Sequence, residues 1–269
     1  EERRMILSGN AIRAFNLAGL PVRGDVVAEP EAELPDLTED HFCFCGEWPF
    51  FPSYLPTPEA LEHNLTQYRI ERAYTGDLSG IFHDDLMSAN RRWLESCRNF
   101  PRIKPLSTLS PTHHNWRCEL AALSGESAWA GILVSPYLHN WRLDDAAWTE
   151  FFRECAARQL PLWINTAFAD YRFRHSAWQP RPVSSMEVMA FMTSAPENCY
   201  VFQGVDSATI RELAAFPGVG TQFRFEFSRL TDSEFMLQRF VKEFGTQPLV
   251  CGGELPFRHP AETRYAAQR

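Results

Sequence analysis

The chain has 269 residues, of which 45% are hydrophobic and 22% charged, and this balance excludes an intrinsically disordered protein. Its net charge of −8 comes without any run of Lys or Arg, which argues against nucleic-acid or anionic-membrane partners. The 7 cysteines lack a disulfide-type spacing, and no apolar stretch approaches the ~20 residues of a membrane span, so we expect a cytoplasmic protein with reduced thiols.

The first 39 residues carry helical patterns but no strand pattern. Residues 2–7 form a short helical segment, and Asn10 is a suitable N-cap for a second helix that runs through Leu17. A linker rich in Pro, Gly and acidic residues follows. We therefore divide the chain into residues 1–39, which hold terminal helices and a linker, and residues 40–269, which hold a single domain.

Eight short apolar segments alternate with helical patterns from residue 42 onward. The predicted strands are Phe42–Cys45, Arg72–Thr75, Lys104–Leu109, Gly131–Ser135, Leu160–Asn165, Cys199–Gln203, Gly220–Phe227 and Pro248–Gly252. Strands that alternate with helices are typical of parallel βαβ units. Eight such units, in a chain near the usual length of about 250 residues, predict an α/β protein with a (β/α)8 barrel.

Several of the intervening helices have their own sequence signals. Thr57 followed by Pro58 is typical of an N-cap and the first helical position. Thr231 and Glu234 predict a capping box at the start of another helix, and Gly245 predicts where that helix ends. Apolar residues at helical spacing predict two buried stripes: Trp148, Phe151, Phe152 and Cys155 in one helix, and Leu237, Phe240, Val241 and Phe244 in another.

Four segments in residues 40–269 resemble the amidohydrolase-related family of metal-dependent hydrolases. Phe42–Phe50 is similar to the family's opening strand, which normally reads Asp-x-His-x-His-x-Gly. Gly131–Pro136 and Arg142–Asp145 continue the match, and Gly252–Phe257 is similar to the family's Gly-Ser-Asp-x-Pro-Phe. The resemblance implies a (β/α)8 barrel with its chemistry at the carboxyl ends of the strands.

Residues 4–15 are similar to the last helix of that family, which usually closes the chain after the eighth strand. The match implies a circular permutant, a piece of a tandem fusion, or a chain that exchanges its terminal helix with a neighbour. Barrel termini lie close together, so permutation costs little. Because Gly-Asn-Ala is a common helix start, a coincidental match also stays open.

The family's metal ligands have no counterparts at most of the matching positions. The resemblance implies two histidines on strand one, one ligand on strand four, histidines on strands five and six, and an aspartate on strand eight. Aligned on Gly46, these places hold Phe42 and Phe44, Leu133 or Ser135, Asn165, Gln203 or Gly204, and Glu254. Phenyl rings cannot coordinate an ion, and zinc needs about three protein ligands. We therefore expect no metal and no other cofactor.

The opening strand also contains two cysteines. If Phe42 and Phe44 point into the barrel, strand alternation turns Cys43 and Cys45 toward the helices. We expect these thiols to be buried and inert rather than metal-binding.

Five residues are candidates for chemistry at the barrel mouth: Glu254, Arg224, Asn165, His83 and His113. Arg224 shares a strand face with Glu226, opposite a run of phenylalanines, and a buried arginine there should pair with Glu226 or Glu254. Such a pair is either structural or an anion-binding site with an acid or base beside it. His83 precedes Asp84 and Asp85 after strand two, where a helix N-cap and a catalytic pair both stay open. His113, after strand three, either holds a ligand or a substrate carboxylate or lies in a solvated loop.

Two functions follow from these residues. In the first, the barrel is a metal-free enzyme that hydrolyses, or cleaves a C–C bond of, a small polar or carboxylate substrate, as in decarboxylation. Glu254 would act as acid or base, Arg224 would hold the anion, and Asn165 and a histidine would donate hydrogen bonds. In the second, the barrel is a non-catalytic subunit, either in a homo-oligomer or as the binding or scaffold partner of a related active chain.

Overall fold

A computed structural model describes residues 37–50, 52–123, 128–168, 180–231 and 236–267 of the chain. Eight parallel strands, β1 to β8, neighbour one another in chain order around one sheet. Their bounds are Glu39–Cys45, Arg72–Asp77, Ile103–Leu109, Gly131–Val134, Leu162–Asn165, Tyr200–Gln203, Phe223–Glu226 and Leu249–Val250. All the predicted strands are confirmed, with differences only at their ends.

A helix follows each strand, and the helices are numbered α1 to α8. They span Pro58–Gln67, Leu86–Cys97, Trp116–Leu123, Thr149–Ala157, Ser185–Ser194, Ser207–Leu213, Met236–Phe244 and Pro260–Ala267. Two 3-10 helices, Ala146–Trp148 and Ser228–Thr231, precede α4 and α7. The predicted (β/α)8 barrel is therefore confirmed. Among the described helices, none has the length and apolar character needed to cross a membrane.

The start of α1 and the end of α7 are confirmed as the sequence predicted them. Thr57 Oγ1 accepts a hydrogen bond from the Ala60 N–H, and Pro58 opens α1. Gly245, with φ of 77°, follows the last residue of α7. Six residues of the predicted stripes are buried: Phe151, Phe152 and Cys155 in α4, and Leu237, Phe240 and Val241 in α7. Trp148, which lies in the 3-10 helix before α4, and Phe244 are only partly buried. Glu234 of the predicted capping box lies outside the described residues.

Strand alternation sorts the side chains of β1 and β7 between the barrel interior and the helix layer. Phe42 and Phe44 belong to the apolar cluster inside the barrel, whereas Cys43 and Cys45 pack with α1 and α2. In β7, Phe223 and Phe225 face the helices, which leaves Arg224 and Glu226 on the interior side. The predicted orientations of both strands are confirmed.

The barrel is nearly closed where β8 meets β1. The His41 N–H donates to the Cys251 carbonyl at 2.8 Å, and the Phe44 N–H donates to the Leu255 carbonyl at 2.9 Å. Asp40 joins the two edges, because its Oδ1 accepts from the N–H groups of Phe42 and Gly253 at 3.0 Å each. Burial raises the pKa of Asp40, partly offset by the nearby Arg264 and by these hydrogen bonds.

Replacing Asp40 by alanine should lower the free energy of unfolding by about 2 kcal/mol, because two buried N–H groups lose their acceptor. Asp40→Asn retains an acceptor oxygen at the same place and should cost clearly less. Urea unfolding of both variants measures the difference. Equal losses would show that the carboxylate does not join the barrel edges through these two bonds.

The described barrel supplies its own helix after the eighth strand. α8 begins at Pro260, and Arg264 within it donates to the Leu37 carbonyl at 3.1 Å, next to the start of β1. Residues 1–36, including the helix predicted from residues 4–15, lie outside the described residues. Their helical assignment, the division of the chain at residue 39 and the permuted or exchanged helix therefore stay predictions.

Candidate active site

Four aromatic side chains from three segments fill the carboxyl end of the barrel. Phe44 ends the interior of β1, Trp48 follows that strand, Phe168 follows β5 and Phe257 follows β8. The Phe168 ring centroid lies 4.7 Å from that of Phe44, 5.1 Å from that of Trp48 and 4.1 Å from that of Phe257. We call Phe44, Trp48, Phe168 and Phe257 the aromatic plug. It occupies the position where (β/α)8 enzymes carry out their chemistry.

The residues beneath the plug fit closely around Phe44. Its ring centroid lies 5.9 Å from that of Phe42, and both side chains are fully buried. Gly76 on β2 leaves the space that the Phe44 ring needs, since a Cβ at that glycine would lie 2.9 Å from the ring. The interior is therefore packed at the two positions where the resemblance implied histidines.

Polar side chains at the ends of β4, β5 and β6 bond to the protein itself. The Ser135 hydroxyl donates to Asn165 Oδ1 at 3.1 Å, and Asn165 Nδ2 donates to the Ala167 carbonyl at 3.1 Å. Gln203 Nε2 crosses the interior to the His41 carbonyl at 2.7 Å. Asn165 lies at the barrel mouth, as predicted, but both ends of its amide are engaged in these internal bonds.

Glu226 is a fully buried carboxylate that ties the end of β7 to its neighbours. Its Oε1 accepts from the Gly204 N–H and the Ser228 hydroxyl, and its Oε2 accepts from the Ser228 N–H, each at 2.9 Å. Burial raises the pKa of Glu226, and these hydrogen bonds partly offset the rise. The sequence placed Glu226 on the interior face but did not indicate this arrangement.

Glu254 lies at the mouth, where it is bound by two arginines. Arg229 Nη2 is 2.6 Å from Glu254 Oε1, and Arg258 Nε is 3.4 Å from Oε2. The carboxylate is 1% exposed, and its backbone has φ of 50°, a left-handed conformation that is uncommon for a residue other than glycine. Neither arginine was among the predicted site residues, although the i, i+4 spacing of Glu254 and Arg258 was a usable signal.

The prediction that Arg224 pairs with Glu226 or Glu254 is wrong. The Arg224 guanidinium donates to the Gly220 carbonyl at 3.5 Å, in the turn that precedes β7. Arg224 stands two residues before Glu226, so about 6.6 Å separate them along the strand, and its long side chain extends toward the amino end. Strand alternation correctly predicted the face on which Arg224 lies, but it could not predict the direction in which the side chain extends along the strand.

The two candidate histidines contact residues that are close to them in the sequence. His83 Nδ1 accepts from the Asp85 N–H at 3.0 Å, and His113 Nδ1 lies 3.9 Å from Glu119 Oε1. Asp85 is the N-cap of α2, since its Oδ1 accepts from the Ser88 N–H at 3.0 Å. Of the two alternatives for the aspartates after His83, the structure therefore supports the helix cap, and these contacts do not connect either histidine with Glu254.

Asp77, at the end of β2, gives the rim a titrating group. Burial raises its pKa to about 6, and a hydrogen bond from the Ser79 N–H partly offsets the rise. The folded state therefore binds this proton more tightly than the unfolded chain, where the pKa is about 3.9. The stabilising contribution is present below the unfolded pKa and is lost as the pH rises through 6.

We expect the free energy of unfolding to fall by about 2 kcal/mol between roughly pH 4 and pH 7 because of Asp77. Asp77→Asn keeps the acceptor for the Ser79 N–H and removes the titration. Urea unfolding at several pH values should therefore give a shallower pH dependence for the variant than for the wild type. Parallel curves would contradict the raised pKa.

The described residues at the implied ligand positions do not fit a divalent cation. Phe42 and Phe44 offer no lone pair, and the amides of Asn165 and Gln203 are engaged elsewhere in the protein. Within the ranges that the structure describes, no group of three or more His, Cys, Asp or Glu side chains is placed to hold a metal ion.

No protein-family model matches the chain, and no curated protein matches its sequence. Solved structures nevertheless share its fold. A 2,6-dihydroxybenzoate decarboxylase from Rhizobium is 12% identical, with a TM-score of 0.62, over 88% of this chain and 91% of that one. A dihydroxybenzoic acid decarboxylase from Polaromonas sp. JS666, solved with bound manganese and the inhibitor 2-nitroresorcinol, is 12% identical with a TM-score of 0.61, over 88% and 90%.

A putative amidohydrolase from Staphylococcus aureus is 9% identical, with a TM-score of 0.61, over 85% of this chain and 92% of that one. Identities this low establish a common fold and leave function open. The chain therefore has the (β/α)8 barrel fold of such amidohydrolases and decarboxylases, and the resemblance drawn from its sequence is confirmed at the level of the fold.

Proposed function

We propose that this barrel is non-catalytic and serves as a binding or scaffold partner of a related, active amidohydrolase-like chain. The aromatic plug carries the proposal. Phe44 and Phe168 are fully buried and stand in edge contact at the centre of the barrel mouth. At this centre of the described mouth the side chains are phenyl rings, which neither polarise a substrate nor transfer a proton.

The polar groups around the plug support the same function. Active sites keep donors and acceptors aimed at the place where charge develops on a substrate. Here Asn165 bonds to Ser135 and Ala167, and Glu226 accepts from Gly204 and Ser228. These hydrogen bonds connect the ends of neighbouring strands, so these polar groups stabilise the barrel and are not directed at a substrate.

The nature of the partner follows from the amino-terminal segment. Residues 4–15 are similar to the helix that closes related barrels. If residues 4–15 form that helix, it would be additional to α8 and could complete, or join this chain to, a second barrel of the same fold. A related active chain is therefore the partner that this sequence favours.

One observation favours the second candidate, a metal-free hydrolase or C–C-cleaving enzyme such as a decarboxylase. Arg229 and Arg258, with side chains 18% and 23% exposed, converge on Glu254 at the mouth. Two guanidinium groups can hold a substrate carboxylate while a neighbouring carboxyl group transfers a proton. Arg229 would then take the anion-binding role that the sequence assigned to Arg224, and the substrate would be a small carboxylate.

A paired experiment separates the two candidates. The purified chain is incubated with 2,6-dihydroxybenzoate and other small aromatic carboxylates, with and without Mn²⁺, and product formation is followed by chromatography. It is also co-expressed with an active amidohydrolase-like chain, and the molar mass of the product is measured by light scattering. We expect no turnover and a stable complex. Turnover that disappears in a folded Glu254→Gln variant would contradict the first candidate and support the second.

A further inference from the structure

We infer that His139 is a pH-operated latch that holds the loop between β2 and α2 over the edge of the barrel mouth. His139 lies in the loop after β4, and its Nε2 donates to the Ile81 carbonyl at 2.6 Å. Ile81 belongs to the loop after β2, and its side chain is fully buried in the interior cluster. One imidazole hydrogen bond thus joins two loops that are far apart in sequence.

The loop that His139 holds also covers the aromatic plug. Phe82 follows Ile81 directly, and its ring centroid lies 5.7 Å from that of Trp48. The Phe82 side chain is 41% exposed and packs on the outside of the aromatic plug, whereas Trp48 is buried. Release of this loop would expose Trp48 while leaving the barrel strands in place.

The environment of His139 favours the neutral imidazole. Nε2 carries the proton that binds Ile81, while Nδ1 is buried and has no hydrogen-bond partner in the described part of the chain. Protonation would place a second N–H, and a positive charge, where no acceptor receives it, and this is costly. Burial accordingly lowers the pKa of His139, the hydrogen bond to the Ile81 carbonyl partly offsets this, and the nearby His113 lowers the pKa further.

The sign of the pH effect follows from this preference. A released His139 regains an ordinary pKa of about 6.5, so the open loop binds a proton that the latched loop excludes. The latch is therefore closed at neutral pH and weakens as the pH falls. Other titrating groups face this region: His113 lies near His139, while Asp77 and His83 lie at the two ends of the released loop. The pKa of Asp77, about 6, overlaps the same range and needs its own control.

Hydrogen–deuterium exchange of the full chain tests the latch. The N–H groups of Leu78, Ile81 and His83 are hydrogen-bonded within or next to the loop and report on its opening. After correction for intrinsic rates, we expect exchange of residues 78–83 at about pH 5 to exceed that at about pH 7.5 by at least about tenfold. His139→Gln keeps a neutral N–H donor and should abolish this difference. Asp77→Asn removes the competing titration and should leave the difference in place.

Two results would overturn the inference. One is wild-type exchange in residues 78–83 that does not change between the two pH values, and the other is an equal acid-induced rise in His139→Gln. If that variant does not fold, an NMR titration of the wild type replaces it. The latch requires the His139 imidazole and the amides of residues 81–83 to titrate together, and separate transitions would contradict it.

Discussion

Replacement of Phe44 by alanine should lower the free energy of unfolding by about 3–5 kcal/mol. Phe44 is fully buried, and its ring contacts Phe42 below and Phe168 above. Alanine would leave a cavity in the middle of the barrel, which surrounding strands cannot collapse to fill because they are hydrogen-bonded to one another. Urea unfolding measures the loss as a shift of the midpoint with an unchanged slope.

Two variants calibrate that result. Phe44→Leu retains most of the apolar volume and should cost less than about 1.5 kcal/mol. Phe82→Ala removes an exposed ring that packs on the outside of the aromatic plug, and it should lower the free energy of unfolding by less than about 1 kcal/mol. Phe44→Ala that is as stable as the wild type, or more stable, would show that the ring lines a site kept for a ligand.

Glu254→Gln should lower the free energy of unfolding by about 3–5 kcal/mol. The carboxylate is buried and accepts from Arg229 at 2.6 Å, and a neutral amide cannot balance the guanidinium charge that remains. Urea unfolding near neutral pH measures the effect on the intact chain.

The exposed ion pair of Arg117 and Glu150 is the matched control. Their side chains are 57% and 60% exposed, so Glu150→Gln should cost less than about 1 kcal/mol. If Glu254→Gln is no more damaging than this control, Glu254 does not serve as a structural counter-ion. A stable variant of that kind is what the enzymatic candidate requires.

The order of strands and helices could be predicted because the signals for each element are local. Apolar runs bounded by turns marked the strands, and Thr57 and Gly245 marked helix ends through their own backbone geometry. The inward direction of Phe42 and Phe44 followed from the two-residue period of a strand. These inferences need only residues that are neighbours in sequence.

The arrangement of the mouth could not be predicted, because its members come from distant segments. Trp48, Phe168 and Phe257 follow three different strands and meet only after the barrel has formed. Arg229 reaches Glu254 from the 3-10 helix after β7. No periodic pattern in the sequence indicates the path of that short helix. The pairing predicted for Arg224 was wrong for a related reason. The two-residue period of a strand defines the face on which a side chain lies, but not the direction in which a long side chain extends along that face.

The central claim is that packed aromatic rings stand where the sequence resemblance implies metal-binding histidines, and metal analysis of the freshly purified, folded chain tests it most directly. The protein is produced with Zn²⁺, Mn²⁺ and Fe²⁺ in the medium, desalted and measured by plasma mass spectrometry. The account predicts far less than one equivalent of any of these metals per chain. One equivalent of a divalent metal that resists desalting, and is retained in a variant lacking any affinity tag, would contradict it.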